Sequence, residues 1–91
     1  MPKYIIEREV PGVGKLNPQE LDTIFQHGLG VVREMGSELE WIQSYITDDK
    51  VYCEYIAPNE QMIRDHGQKS GFPVNRITMV TSIMDHNNVK V

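Results

Sequence analysis

The sequence predicts an α+β domain of the ferredoxin-like βαββαβ type, a four-stranded antiparallel sheet in the order 4-1-3-2 with both helices on one face. Three observations carry this expectation. The stretch Trp41–Pro58 (WIQSYITDDKVYCEYIAP) reads as a hairpin, two runs rich in β-branched and aromatic residues around a polar turn. A segment with helix start and stop signals stands on each side of it. A strand-like segment then occupies each end of the chain.

Lys3 to Val10 (KYIIEREV) forms the expected first strand, ended by Pro11-Gly12-Val13-Gly14, where proline and glycine break any regular element. Gly12-x-Gly14-Lys15 resembles a phosphate loop only in part. Such a loop needs a glycine where Glu9 stands and a hydroxyl where Leu16 stands. Asn17-Pro18-Gln19-Glu20 starts the first helix: Asn17 caps it, Pro18 sits in the first turn, and Glu20 reaches back to the cap. Leu21, Ile24, Phe25, Gly28, Leu29 and Val32 follow at helical spacing on one face, and Gly36 ends the helix near Met35. Gly28 falls on that apolar stripe, which predicts a close approach of helix to sheet.

In the hairpin, Asp48-Asp49 supplies the turn. Pairing outward from it sets Ile46 opposite Val51, Tyr45 opposite Tyr52, Ser44 opposite Cys53, Gln43 opposite Glu54, Ile42 opposite Tyr55 and Trp41 opposite Ile56. Opposed residues share a face. One face therefore receives Ile42, Ser44, Ile46, Val51, Cys53 and Tyr55 and reads as core. The other receives Trp41, Gln43, Tyr45, Tyr52, Glu54 and Ile56. After the hairpin, Asn59 caps a second helix to Ser70 with Met62, Ile63 and His66 inward, and Gly71 stops it. Phe72-Pro73 links to a last strand over Val74–Met84, and Asp85–Val91 reads as a frayed tail.

The whole chain, 1–91, thus reads as one domain. A chain of 91 residues buries little more than about 60% of its unfolded surface, so association with a second copy would add stability. The face carrying Trp41, Tyr45 and Tyr52 is left uncovered by the helices, and two subunits packing sheet to sheet, as in a dimeric α+β barrel, would complete it. A net charge of −4 and a pI near 5.2 give no clustered basic footprint for nucleic acid or an anionic membrane. No apolar run approaches the roughly 20 residues of a membrane span, and MPKYIIEREV lacks a signal-peptide core, so the expected location is the cytoplasm. A single cysteine, Cys53, excludes an internal disulfide.

Few residues could carry chemistry. His66, inward on the second helix, and Cys53, on the core face, together offer an imidazole and a thiol to a borderline divalent ion. The plainer reading makes both of them core residues. Glu54, beside Gln43 and between aromatic rings, is the better placed polar group for a ligand or a metal at a subunit junction, and Glu7 of the first strand could join it. A carboxylate among rings could have a raised pKa and act as an acid or base; otherwise it pairs with Arg8 or Arg76. His27 falls off the apolar stripe, and His86 lies in the tail.

The residues Tyr4-Ile5-Ile6-Glu7-Arg8, Trp41-Ile42-Gln43-Ser44-Tyr45, Tyr52-Cys53-Glu54-Tyr55-Ile56-Ala57-Pro58-Asn59-Glu60 and Gly71-Phe72-Pro73 together resemble the small bacterial domain-of-unknown-function family numbered 4242. The resemblance covers nearly the whole chain. It implies a ferredoxin-like fold, a dimer and binding of a divalent metal, nickel by the family's usual label. It assigns no ligands; His66, Cys53 and Glu7 are the metal candidates by residue type and facing. The first functional expectation is a non-catalytic homodimer that binds a divalent metal. The alternative is an enzyme or binder of a small organic ligand in a cavity lined by Trp41, Gln43, Tyr45, Tyr52 and Glu54. A plain interaction module is the third.

Overall fold

In the computed structural model, which describes residues 1–87, the elements are β1 (Lys3–Glu9), a 3-10 turn (Val13–Lys15), α1 (Pro18–Met35), β2 (Glu40–Ile46), β3 (Lys50–Ile56), α2 (Glu60–Ser70) and β4 (Arg76–Met79). The four strands form one antiparallel sheet in the order β2-β3-β1-β4. Read from the other edge this is the expected 4-1-3-2, and the fold is ferredoxin-like.

Local sequence sets the helix ends. Asn17 Oδ1 accepts from the backbone N–H of Glu20 at 2.8 Å while Glu20 Oε1 accepts from that of Asn17 at 3.0 Å, closing the reciprocal capping box. Asn59 caps α2 by accepting from the Met62 N–H at 3.0 Å. Gly71 ends α2 at φ 80°, a left-handed conformation that glycine adopts without penalty.

Burial alternates along β1 and β3, as a sheet with one covered face requires. Tyr4, Ile6, Val51, Cys53 and Tyr55 face the helices and join Val13, Leu39, Ala57 and Ile63 in the core. The approach of α1 to the sheet is as close as its glycine predicted. A Cβ on Gly28 would stand 2.5 Å from the Phe72 ring and 2.7 Å from the Trp41 ring.

The hairpin pairs as expected from Ile46–Val51 through Gln43–Glu54, and then departs. A bulge between Trp41 and Gln43 leaves Ile42 unpaired and sets Trp41, not Ile42, opposite Tyr55. One extra residue in a strand reverses the facing of everything beyond it. Trp41 therefore lies on the helix side, stacked on Tyr55 at 5.3 Å and tilted against Phe25 at 5.4 Å. Ile42, expected in the core, is 39% exposed.

β4 is also shorter than Val74–Met84. It pairs with Tyr4–Glu7 of β1, and the bond from the Val80 N–H to the Lys3 carbonyl is the last that β1 can offer, since β1 begins there. Of the frayed tail expected over 85–91, residues 88–91 lie outside the described residues.

Candidate functional site

Alternation along β1 sends Tyr4, Ile6 and Arg8 to the helix side and Lys3, Ile5, Glu7 and Glu9 to the open side. The sheet thus separates two groups of polar side chains.

On the open face the centre is Glu54. Its Oε1 accepts from Gln43 Nε2 at 3.0 Å and from the Tyr45 hydroxyl at 3.0 Å, and Gln43 also donates to Tyr45 at 2.9 Å. Lys3 Nζ stands 3.6 Å from the other carboxylate oxygen. Gln43 above all, with Tyr45 and Lys3, holds the Glu54 carboxyl below the usual carboxylate range, against the effect of partial burial. The expectation of a raised value is therefore corrected: hydrogen-bond donors outweigh the neighbouring rings. The ion-pair partner is Lys3, not Arg8 or Arg76. Glu7 lies on the same face and pairs with Lys50 at 3.3 Å. Tyr52 stands opposite Tyr45 and also opposite Glu7. Of the five expected ligand residues, Gln43, Tyr45, Tyr52 and Glu54 do share this face; Trp41 does not.

On the helix side the centre is Arg8, 2% exposed. Its Nη1 donates to the Pro73 carbonyl at 2.9 Å and its Nη2 to the Tyr55 hydroxyl at 3.0 Å. The guanidinium lies 5.5 Å from the Phe72 ring centroid and 5.9 Å from that of Tyr55. Burial pushes the Tyr55 phenol well above its ordinary value, so it stays protonated. Arg8 Nε has no hydrogen-bond partner, and among the described residues no carboxylate lies within ion-pairing distance of Arg8.

His66 is fully buried nearby, its ring within 5.5–6.3 Å of Tyr55, Trp41 and Phe72. Nε2 lies 2.9 Å from the Gly28 carbonyl. A carbonyl only accepts, so Nε2 carries the proton and Nδ1 is a bare lone pair with no partner. Burial first, and the Arg8 charge after it, lower the His66 pKa and keep the ring neutral. Cys53, also buried, accepts from Ser44 Oγ at 3.1 Å, and Ser44 in turn accepts from Trp41 Nε1 at 2.9 Å. That relay exists because the bulge turned Trp41 onto the face of Ser44.

The metal candidates are therefore divided. His66 and Cys53 share the helix side, Cys53 with Ser44 as its partner, while Glu7 stands on the opposite face of the sheet. Among the described residues no group of three or more His, Cys, Asp or Glu could hold a metal ion. His27, exposed as expected, nonetheless donates from Nε2 to the Ser70 carbonyl at 2.9 Å. Sequence reasoning passed over Arg8 and Phe72. The signal was present: Tyr4, Ile6 and Arg8 are alternate residues, and two of the three are plainly core types.

Two cavities flank the β2–α1 side. One, of about 330 Å³, is a shallow depression along Phe25, Leu29, Trp41 and Ile42. The other, of about 260 Å³, runs between sheet and α1 and is lined by Arg8, Cys53, Trp41 and Phe72 among apolar neighbours.

The description "nickel responsive protein SCO4226-like" defines a family whose pattern matches residues 4–80. The crystal structure of SCO4226 from Streptomyces coelicolor A3(2) superposes with a TM-score of 0.75 at 14% identity, over 90% of this chain and 99% of that one. Likeness at that identity concerns the fold. No curated protein matches the chain. The nickel association and the ferredoxin-like fold implied by the resemblance both reappear here; the number 4242 does not.

Proposed function

The chain belongs to the nickel responsive protein SCO4226-like family, and from that premise we propose that it is a non-catalytic binding protein that acts as a homodimer through its open sheet face and takes nickel across that interface. The observation that carries this reading is the Glu54 cluster, a carboxylate held ionised by Gln43, Tyr45 and Lys3 on a sheet face that no helix covers. A carboxylate kept this acidic suits charge pairing or metal ligation better than proton transfer near neutral pH.

The donors of one chain do not fit a tight nickel centre. His66 offers one lone pair, deep in an aromatic shell and within the field of the Arg8 charge; Cys53 is buried beside Ser44; Glu7 is on the other face. Binding therefore calls for two copies, whose open faces together double the carboxylates Glu54 and Glu7. Such a site is rich in oxygen and poor in the imidazole that nickel favours, so the affinity is modest. Ile5, Tyr45, Tyr52 and Ile56 supply the apolar area around it. The lone unpaired Cys53 suits a reducing compartment such as the cytoplasm.

Native mass spectrometry of tag-free protein, with and without nickel, tests this. The expected result is a dimer that takes up nickel, and a Glu54→Gln dimer that takes up less. A monomer at micromolar concentration, or uptake unchanged in Glu54→Gln and in a Glu7→Gln variant, would overturn it.

A further inference from the structure

The buried guanidinium of Arg8 is the least compensated group in the molecule. Arginine cannot escape burial by losing its proton, so a charge taken out of water needs partners. Arg8 has two neutral ones, the Pro73 carbonyl and the Tyr55 hydroxyl, and two ring faces, which leaves Nε with none. No carboxylate of the described residues pairs with it. This same side chain forms part of the wall of the 260 Å³ cavity between the sheet and α1. The rest of that wall is almost wholly apolar, with Val13, Leu21, Phe25, Trp41 and Phe72 around it. Ile24, 37% exposed, and Pro73, also exposed, mark where the cavity meets the surface.

We propose that this cavity is a binding site for a small hydrophobic monocarboxylate, whose carboxylate pairs with Arg8 Nε and an adjacent N–H of the fork while its apolar tail fills the space under α1. Charge complementarity sets the head group. A planar guanidinium edge with a free N–H matches a carboxylate in two parallel hydrogen bonds, stronger than neutral ones. Volume sets the tail. The space holds roughly nine water-sized groups at about 30 Å³ each and falls just below the ~300 Å³ at which ordinary ligand pockets begin. An arylacetate or a six-carbon fatty acid fits; a long-chain lipid does not. Tyr55 and Pro73 hold the guanidinium in place from the sheet and from the loop after α2, so the head-group site is already built. The cavity lies on the helix side, away from the face proposed for the dimer, so neither reading depends on the other.

The molecule carries two reporters on the cavity wall: Trp41, its single tryptophan, and Cys53, its single cysteine. Full-length protein is titrated with phenylacetate and hexanoate, with the neutral 2-phenylethanol and hexan-1-ol, and with acetate. Trp41 fluorescence and the rate at which a small thiol reagent alkylates Cys53 are followed together. The expected result is saturable binding of both acids, at least ~tenfold tighter than their alcohols, with slower alkylation of Cys53 and no comparable effect of acetate. Arg8→Met should erase the preference for acid over alcohol. Where that variant fails to fold, Leu21→Phe, which fills the cavity and leaves Arg8 in place, should abolish binding of acids and alcohols alike. Equal affinity for acid and alcohol, acetate binding as tightly as phenylacetate, or folded protein that binds neither acid would each overturn the proposal.

Discussion

The two faces of the sheet treat charge in opposite ways. On the open face the carboxylates of Glu54 and Glu7 are partly wet, and both have cationic partners, Lys3 and Lys50. On the helix side Arg8 and His66 are buried, and each keeps a nitrogen without a partner. Water would have solvated the first pair in any case; nothing but protein surrounds the second. Stability therefore resides where polar groups are satisfied, and unspent binding capacity resides where they are not. Changes of the same kind made on the two sides should have unequal effects, and that inequality can be measured.

The largest effect should come from the contact that seals the helix side. Gly28→Leu places a branched side chain where even a Cβ would stand 2.5 Å from Phe72 and 2.7 Å from Trp41. Relief requires moving α1 or both rings, and with them the carbonyl that accepts from His66. A loss of about 3 kcal/mol is expected in urea unfolding. A loss below about 1 kcal/mol would mean that the aromatic cluster is loosely packed, and that the helix side is not the rigid one.

A sharper comparison removes one phenol hydroxyl from each face. Tyr55→Phe strips Arg8 of one of its two hydrogen bonds in a buried site and should cost about 1–3 kcal/mol. Tyr45→Phe removes a donor to Glu54 where Tyr45 is 53% exposed, and should change stability by less than about 0.5 kcal/mol. Equal costs would contradict the contrast between the faces.

These contrasts also show what the sequence made legible. Both helix starts were readable because a cap is local: Asn17 with Glu20, and Asn59 with its first turn, name their own partners within three residues. The hairpin turn was readable for the same reason. The bulge at Ile42 was not, because one more residue in an alternating run leaves no compositional trace; only the cost of leaving Trp41 wet hinted that the alternation breaks. The end of β4 depended on where its partner strand begins, a fact 70 or so residues away in the chain. For the candidate site, the open-face members Gln43, Tyr45, Tyr52 and Glu54 followed from the turn-proximal register. The buried Arg8 did not, since a charged residue in a mixed strand is more often placed in water.

The smallest effect separates the two faces by pH. His66 has a folded-state pKa below its ordinary 6.5, so the unfolded chain binds a proton more readily than the folded one. The stability tied to neutral His66 is complete above about 6.5 and is lost as pH falls below it toward the folded value. Glu54 is also depressed, but from the carboxylate value of 4.5, so its contribution is complete above that point and is lost as pH falls through the lower folded value. Two limbs should therefore appear in a plot of urea midpoint against pH between 7 and about 3. His66→Gln, whose amide can still donate to the Gly28 carbonyl, should flatten the upper limb alone. Glu54→Gln should flatten the lower limb alone. That lower limb should be shallow, because an ion pair open to solvent contributes at most about 1 kcal/mol, and added salt should shrink it further. The upper limb should resist salt, since burial and not a solvent-exposed ion pair produces it. A salt-sensitive upper limb would place His66 in contact with water and dissolve the distinction between the faces.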